Sequence, residues 1–176
     1  QSNPIAALIE KTTNSIDAIL TRKCHENGIE PKSVTAPKSM EEAIKRFFPE
    51  SRDWDRQSFR RSQAENIQII ADGRGPRNKQ TSNKLPTSVI VYDNGEGQHP
   101  EDFENTLLSL LRGNKNDVHF VQGKYNMGGS GAIVFCGKKR YQLIASRRYD
   151  KSGDFGFTLV REHPKSESDN TKETWF

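Results

Sequence analysis

An aspartate and two glycines follow an apolar run in the segment Asp93-Asn94-Gly95-Glu96-Gly97. The run before it, residues 89–92, predicts a strand, so the aspartate lies at a strand end. A carboxylate there can accept a hydrogen bond from the exocyclic amine of a nucleotide base. Glycines beside it let backbone and base approach closely. The segment predicts a base-reading turn, although the same pattern is also typical of a purely structural turn.

A second glycine-rich segment, residues 123–131, has the sequence GKYNMGGSG. Phosphate oxygens need backbone N–H donors, which glycine-rich turns and helix N-termini supply. Lys124 adds a positive charge. We therefore expect this loop to wrap the phosphates of a nucleotide.

Three polar residues near the start of the chain complete the pattern. Glu10, Asn14 and Asp17 are four and three positions apart, which puts them in one row of a helix. Mg²⁺ prefers oxygen ligands and keeps several waters, so Asn14 can give one amide oxygen. Glu10, one turn earlier, suits the activation of a water molecule. Taken alone, the same row would be a solvated helix face in most proteins.

In this order the segments resemble the three motifs of the GHKL superfamily. This group includes the DNA gyrase B subunit, the ninety-kilodalton heat-shock chaperones, sensor histidine kinases and MutL-type repair proteins. Glu10-x-x-x-Asn14-x-x-Asp17 is similar to the first motif and Asp93-x-Gly95-x-Gly97 to the second. The resemblance covers residues 4–24 and 66–146.

The resemblance implies a Bergerat fold, an α+β two-layer sandwich whose mixed, mostly antiparallel sheet is covered on one face by helices. It implies Mg²⁺-dependent ATP binding and slow hydrolysis that drives lid closure or dimerisation in a larger protein. Glu10 would be the general base, Asn14 the Mg²⁺ ligand and Asp93 the adenine-binding residue. The residues expected to contact ATP are Asn14, Asp17, Asp93, Gly95, Gly97, Asn105, Lys115, Lys124, Asn126, Met127, Gly128, Gly129, Ser130 and Gly131.

The chain also departs from the family pattern. Its phosphate loop lacks the commoner Gly-x-Gly spacing, and residues 25–65 form a longer insertion than usual. The family's late threonine, which helps to hold adenine, has no clear match in this chain, where Thr171 or Thr174 could serve, if either does. Chain ahead of the first helix is absent, so we expect a fragment of a larger protein.

Two helical segments are expected to position these residues. Asn3-Pro4 predicts a helix start, and the helix runs to about Arg22 or Cys24. Its apolar stripe is expected to pack on a core and consists of Ile5, Leu8, Ile9, Ile16, Ile19 and Leu20. Within the insertion, Ser39 and Glu42 form a capping-box pattern before a short helix. That helix is expected to point Ile44, Phe47 and Phe48 inward and to cover the core.

The remaining pattern predicts strands and one further helix. Residues 66–71 and 87–92 predict an antiparallel hairpin joined by a long loop, and the second strand is apolar on both faces and hence central. A helix from Pro100 to Gly113 would bury Phe103, Leu107, Leu110 and Leu111. Residues 132–135 predict a short apolar helix or strand. Strands are expected at 140–146 and 155–160, and residues 165–172 are expected to be loose.

Length, cysteine spacing and the lengths of the apolar runs limit the kinds of protein that this chain can be. A length of 176 residues suits one domain. The two cysteines show no metal-ligand spacing, which predicts free thiols and a cytoplasmic location. No apolar run approaches about 18 residues, so we expect no membrane span.

Two other functions remain open on the sequence. The chain could be a catalytically silent nucleotide-sensing or dimerisation module that binds ATP or ADP and forms a homodimer in the full-length protein. Alternatively, a net charge of +4 is compatible with a basic nucleic-acid-binding domain that uses residues 73–84 and 52–61. These segments lack an interleaved aromatic platform, which disfavours single-strand binding.

Overall fold

The computed structural model describes residues 3–53, 55–72, 88–106, 117–123, 132–137, 140–163 and 173–175. Within these ranges the chain is an α+β protein with three α-helices and two antiparallel sheets. The helices are α1 (Pro4–Glu26), α2 (Met40–Phe47) and α3 (Gln57–Ala64). The strands are β1 (Ile67–Asp72), β2 (Ser88–Asp93), β3 (Tyr141–Ser146), β4 (Gly156–His163) and β5 (Glu173–Trp175). Short 3-10 helices span Pro49–Asp53, Pro100–Asp102 and Ile133–Phe135.

The start of α1 is confirmed as predicted. The Asn3 side chain accepts a hydrogen bond from the Ile5 N–H (2.9 Å), and Pro4 takes the first helical position. The helix continues to Glu26, somewhat past the predicted end. Lys23 lies in its last turn, where positive charge is favourable for the helix dipole.

The predicted burial of the α1 stripe is wrong for its first half. Ile19 and Leu20 are buried, but Ile5 and Ile9 are 67% and 60% exposed. The apolar spacing is helical throughout, yet the buried cluster takes Leu20 and Cys24 from the C-terminal half of α1, and Ile5 and Ile9 do not belong to it. Periodicity reports which face is apolar; it does not report where along a helix the partners lie.

The core lies between the second half of α1, the insertion and residues 117–121. Its buried members are Leu20, Cys24, Ile29, Ala36, Ala43, Val118, Phe120 and Val121, and Met40, Ile44, Phe47 and Phe48 pack against them. The expectation that the insertion covers the core is confirmed. The three core residues of the segment 117–121, Val118, Phe120 and Val121, were not predicted.

The capping box of α2 is present. The Ser39 hydroxyl accepts from the Glu42 N–H (3.2 Å), and Glu42 Oε2 accepts from the Lys38 N–H (2.9 Å). The pattern therefore begins a helix where it was expected. The insertion also contains α3, whose Phe59 is buried and which was not predicted.

The β1–β2 hairpin is confirmed, with antiparallel register from Ile67↔Asp93 to Asp72↔Ser88. The central position expected for β2 is wrong in the part of the chain that is described, where β2 pairs with β1 alone. Val89 and Ile90 are about half exposed. Apolar residues on both faces of β2 predict burial of both faces. The described residues do not bury Val89 or Ile90, so the prediction of a central strand fails there.

The second sheet has the order β3–β4–β5 and is antiparallel throughout. Both β3 and β4 lie close to their predicted positions, whereas β5 was not predicted. The segment that follows β2 contacts the end of β3, where the Gln98 N–H donates to the Ser146 hydroxyl (3.0 Å).

Two of the remaining predictions are met at least in part, and the others concern residues outside the described ranges. The segment at Pro100 is a 3-10 helix, and Phe103 after it is buried as expected. Residues 133–135 form a 3-10 helix, which agrees with the helical alternative. The hairpin loop, residues 107–116 with their leucines and residues 165–172 lie outside the described residues, apart from Asp72 at the loop's start.

Candidate functional site

Two neighbouring rows of α1 hold the two glycine-containing segments. One row consists of Ser15, Ala18 and Arg22 and contacts the turn of residues 93–97. The other row contains Asn14 and Asp17 and contacts residues 122–123. The spacings of three and four residues put each row on its own stripe of the helix.

Asp93 is oriented by two hydrogen bonds. Its Oδ1 accepts from the Gly95 N–H (3.0 Å), and its Oδ2 accepts from the Ser15 hydroxyl (3.0 Å). The first bond shapes the turn locally, and the second ties the carboxylate to α1. Together these contacts fix the direction of the Asp93 carboxylate.

The turn after Asp93 packs tightly on α1. A Cβ at Gly95 would overlap the Ala18 Cβ. The Glu96 N–H donates to the Ala18 carbonyl (2.9 Å). This close approach explains why a glycine follows the strand at that position.

The far side of the turn rests on residues 147–149. Gly97 has φ +61°, and a Cβ there would overlap the Arg147 carbonyl oxygen. The Tyr149 N–H donates to the Glu96 carbonyl (2.9 Å). The turn is therefore enclosed between α1 and the β3–β4 connection.

Arg22 closes the row on α1. Its Nη1 donates to the Asn94 carbonyl (3.0 Å) and to the Asn94 Oδ1 (2.5 Å). Its Nε donates to Glu26 Oε1 (2.7 Å). The Arg22 guanidinium therefore links Glu26, one helical turn further along α1, to Asn94.

Asp17 fixes the start of the glycine-rich loop. Its carboxylate is fully buried and accepts from the Gln122 N–H (3.0 Å) and the Gly123 N–H (2.7 Å). A Cβ at Gly123 would lie 2.5 Å from the Asn14 Oδ1. The polar row on α1 therefore faces a protein segment, and the solvated-face alternative is wrong for Asp17.

The other predicted residues fall in different places. Glu10 is half-buried on α1, one turn before Asn14. Asn105 follows the 3-10 helix at Pro100, where its N–H donates to the Asp102 carbonyl (3.1 Å). Lys115, Thr171 and residues 124–131 lie outside the described residues, so their predicted contacts stay predictions. Thr174 pairs with Glu162 in the β4–β5 ladder.

A second cluster lies behind the turn. The His25 ring stacks on Tyr149 with ring centroids 5.9 Å apart, and Glu96 Oε2 lies 3.8 Å from His25 Nε2 and 3.7 Å from Arg148 Nη1. Burial and the neighbouring Arg148 charge lower the pKa of His25, against the opposing charges of Glu30 and Asp150. His25 is thus neutral near pH 7, and Arg148 is the charged partner of Glu96.

Lys11 lies on α1 near Glu10 and Cys136. Burial lowers the pKa of its ammonium group, and the nearby Glu10 and Cys136 act in the opposite direction. Cys136 follows the 3-10 helix that comes directly after the glycine-rich loop. The sequence analysis did not single out Lys11. Both cysteines are free, as expected.

The predicted magnesium site rests on one described residue, Asn14. Among the described residues, no group of three or more His, Cys, Asp or Glu side chains could hold a metal. The Asn14 amide oxygen lies at the start of the glycine-rich loop. Mg²⁺ is commonly bound by one or two protein groups together with phosphates and waters, so Asn14 stays the predicted protein ligand.

Sequence reasoning missed the row that holds Asp93. Ser15, Ala18 and Arg22 share helical spacing, but a serine, an alanine and an arginine at that spacing do not indicate any particular chemistry. The only available signal was their position beside the Glu10–Asn14–Asp17 row.

Comparisons with protein-family models, with curated proteins and with solved structures found no match for this chain. None of the helices in the described ranges combines the length and apolarity needed to cross a bilayer. The contacts of α1 with the two glycine-containing segments are therefore the basis for a functional proposal.

Proposed function

We propose that the chain is a GHKL-type domain that binds Mg·ATP and hydrolyses it slowly. One observation carries the proposal: a single helix bears Glu10 and Asn14 and also bonds both Asp93 and Gly123. The segments around Asp93 and Gly123 are far from α1 and from each other in sequence, and both bond to this one helix. The α+β class and antiparallel sheets are compatible with a Bergerat sandwich, which is the finer fold we propose.

Asp93 would read the adenine base. Its carboxylate is held by Ser15 and Gly95, so it meets the exocyclic amine without first reorganising. Guanine carries a carbonyl oxygen where adenine carries the amine, and a carboxylate repels that oxygen. This site would therefore prefer ATP to GTP.

Asn14 would give an oxygen ligand to Mg²⁺, and Glu10 would take a proton from the attacking water. The water oxygen bonds to the γ-phosphorus, the bond between that phosphorus and the bridging oxygen breaks, and ADP leaves with the bond's electrons. Asp17 would contribute to ATP binding through the loop, because its carboxylate is occupied by backbone N–H groups at residues 122 and 123.

Calorimetry with Mg·ATP tests the binding step. We expect the wild-type chain to bind ATP and Asp93→Asn to bind at least about tenfold more weakly, since the new amide replaces an acceptor with a donor. Asp55→Asn is the control, because Asp55 is exposed in the insertion. Absence of wild-type binding at millimolar ATP would contradict the proposal, as would unchanged binding by Asp93→Asn.

Phosphate release tests the chemical step. Glu10→Ala should keep ATP binding and lose turnover. Glu41 is exposed on α2, so Glu41→Ala should keep both binding and turnover. Unchanged release from Glu10→Ala would remove Glu10 from the mechanism. ATP binding without any wild-type release would favour the silent sensing module.

A further inference from the structure

We propose that Arg22 is a positioning residue for adenine recognition. Its guanidinium holds Asn94, the residue directly after Asp93, and so sets the direction of the carboxylate that reads the base. The inference rests on the proposed function, and it assigns a role to a residue outside the three motifs.

The contact has the geometry of a fixed clamp. Arg22 Nη1 reaches both the carbonyl oxygen and the side-chain oxygen of Asn94, at 3.0 Å and 2.5 Å. A guanidinium stays charged at any physiological pH and presents its donors in a rigid plane. Two bonds to one residue restrict both the backbone and the side chain of Asn94.

Glu26 holds the guanidinium from behind. Arg22 Nε lies 2.7 Å from Glu26 Oε1, one helical turn further along α1. Burial raises the pKa of Glu26, but hydrogen bonds from Lys23 and Arg22 outweigh it and leave the pKa below its usual value. The carboxylate is therefore ionised, and it restricts the rotamers of Arg22 before any ligand binds.

The surroundings further limit the motion of the guanidinium. Its Cζ lies 5.9 Å from the centroid of the Tyr149 ring, and the side chain is only 24% exposed. Partial burial weakens the screening of charged hydrogen bonds by water and salt. Tyr149 also bonds the turn at Glu96 (2.9 Å), so α1 and residue 149 hold successive positions of the turn.

The same guanidinium connects the turn to the insertion. It lines a cleft of about 290 Å³ whose walls include Phe47 and Phe59 from the insertion and Asn94 from the turn. Arg22 is therefore the α1 side chain that both borders the insertion and bonds the residue after Asp93.

The test compares affinities for Mg·ATP and Mg·GTP in the wild type, in Arg22→Ala and in Lys23→Ala. We expect Arg22→Ala to weaken ATP binding about 5- to 20-fold, as for the loss of one or two charged hydrogen bonds, and to change GTP binding less than about twofold. Lys23 bonds the same Glu26 (2.7 Å) and lines the same cleft, yet its ammonium makes no bond to Asn94. Lys23→Ala should therefore keep the ATP preference.

The ratio of the two affinities separates positioning from a general loss of structure. A variant that merely unfolds in part would lose ATP and GTP binding equally. Arg22→Lys keeps the charge without the planar fork and should recover only part of the preference. Asn94→Ala removes the Oδ1 contact from the other partner, so it gives the same answer if Arg22→Ala does not fold.

The outcomes also separate this inference from the proposed function. A wild-type chain that binds no ATP, or that shows no preference for it, contradicts the proposed function. A wild-type preference that survives unchanged in Arg22→Ala and in Asn94→Ala overturns the role of Arg22 alone. Reduced preference in both variants, with Lys23→Ala unaffected, supports it.

Discussion

At the scale of single residues, Asp17 shows how a polar pattern on a helix acquires a structural role. Its carboxylate is fully buried and accepts the N–H groups of residues 122 and 123. Buried backbone donors need acceptors, and a carboxylate supplies strong ones. The start of the glycine-rich loop is thus held by a charge that α1 carries.

Asp17→Asn should therefore destabilise the fold. Asparagine offers one acceptor oxygen and turns an NH₂ group towards backbone donors, so we expect the free energy of unfolding to fall by about 2–3 kcal/mol. Urea denaturation at neutral pH measures the change from the midpoint and slope.

Asp55→Asn serves as the matched comparison, since Asp55 is exposed. It should change the free energy of unfolding by less than about 0.5 kcal/mol. Equal stability of the two variants would show that the Asp17 contacts contribute nothing to the fold.

At the scale of elements, the turn of residues 93–97 is shaped from both sides. Ala18 on α1 excludes a side chain at Gly95, and the Arg147 carbonyl excludes one at Gly97. A turn that is confined in this way has little freedom to adopt another conformation. Its rigidity suits a site in which Asp93 must keep one orientation.

Gly97→Ala should distort this turn more than a glycine substitution elsewhere. Gly97 and Gly28 have similar positive φ values, +61° and +69°, but nothing lies within 4 Å of a Cβ at Gly28. Gly28→Ala should cost about 1–2 kcal/mol for the left-handed backbone alone. Gly97→Ala should cost at least about 1 kcal/mol more, because overpacking adds strain.

Thermal or urea unfolding of the two variants measures the difference directly. ATP affinity gives a second readout, because only Gly97 belongs to the turn. The same loss of stability in both variants, with ATP affinity unchanged, would mean that the turn does not rest on residue 147.

At the scale of the whole molecule, the core and the outer sheet faces differ sharply in solvent exposure. The buried cluster lies between α1, the insertion and residues 117–121. On β4, the neighbouring residues Leu159 and Val160 are 52% and 3% exposed. Successive strand residues point to opposite faces, so one face of the β3–β4 pair is packed and the other is open.

This asymmetry predicts unequal costs for two adjacent truncations. Val160→Ala should lower the free energy of unfolding by about 1.5–3 kcal/mol, since it removes buried methyl groups. Leu159→Ala removes more atoms but should cost less than about 1 kcal/mol, because about half of its surface already meets solvent. Urea denaturation of both variants measures the order, and a larger loss in Leu159→Ala would reverse the assignment of the faces.

Local features of the fold were predictable because their chemistry lies within a few residues. Asn3 and Pro4 begin α1, and Ser39 with Glu42 begins α2, through hydrogen bonds that span two to four positions. The hairpin and the β3–β4 pair follow from apolar runs separated by turn-forming residues. The sequence by itself therefore determined where most elements begin and which segments carry residues suited to nucleotide chemistry.

Only the tertiary structure decided which of these residues meet. Ser15 bonds Asp93 across 78 positions, and Asp17 bonds Gln122 across 105. It also decided that Ile5 is exposed and that Phe120 is buried. The physical reason is that helical spacing defines the faces of α1, whereas the packing of distant segments selects which positions on each face are covered.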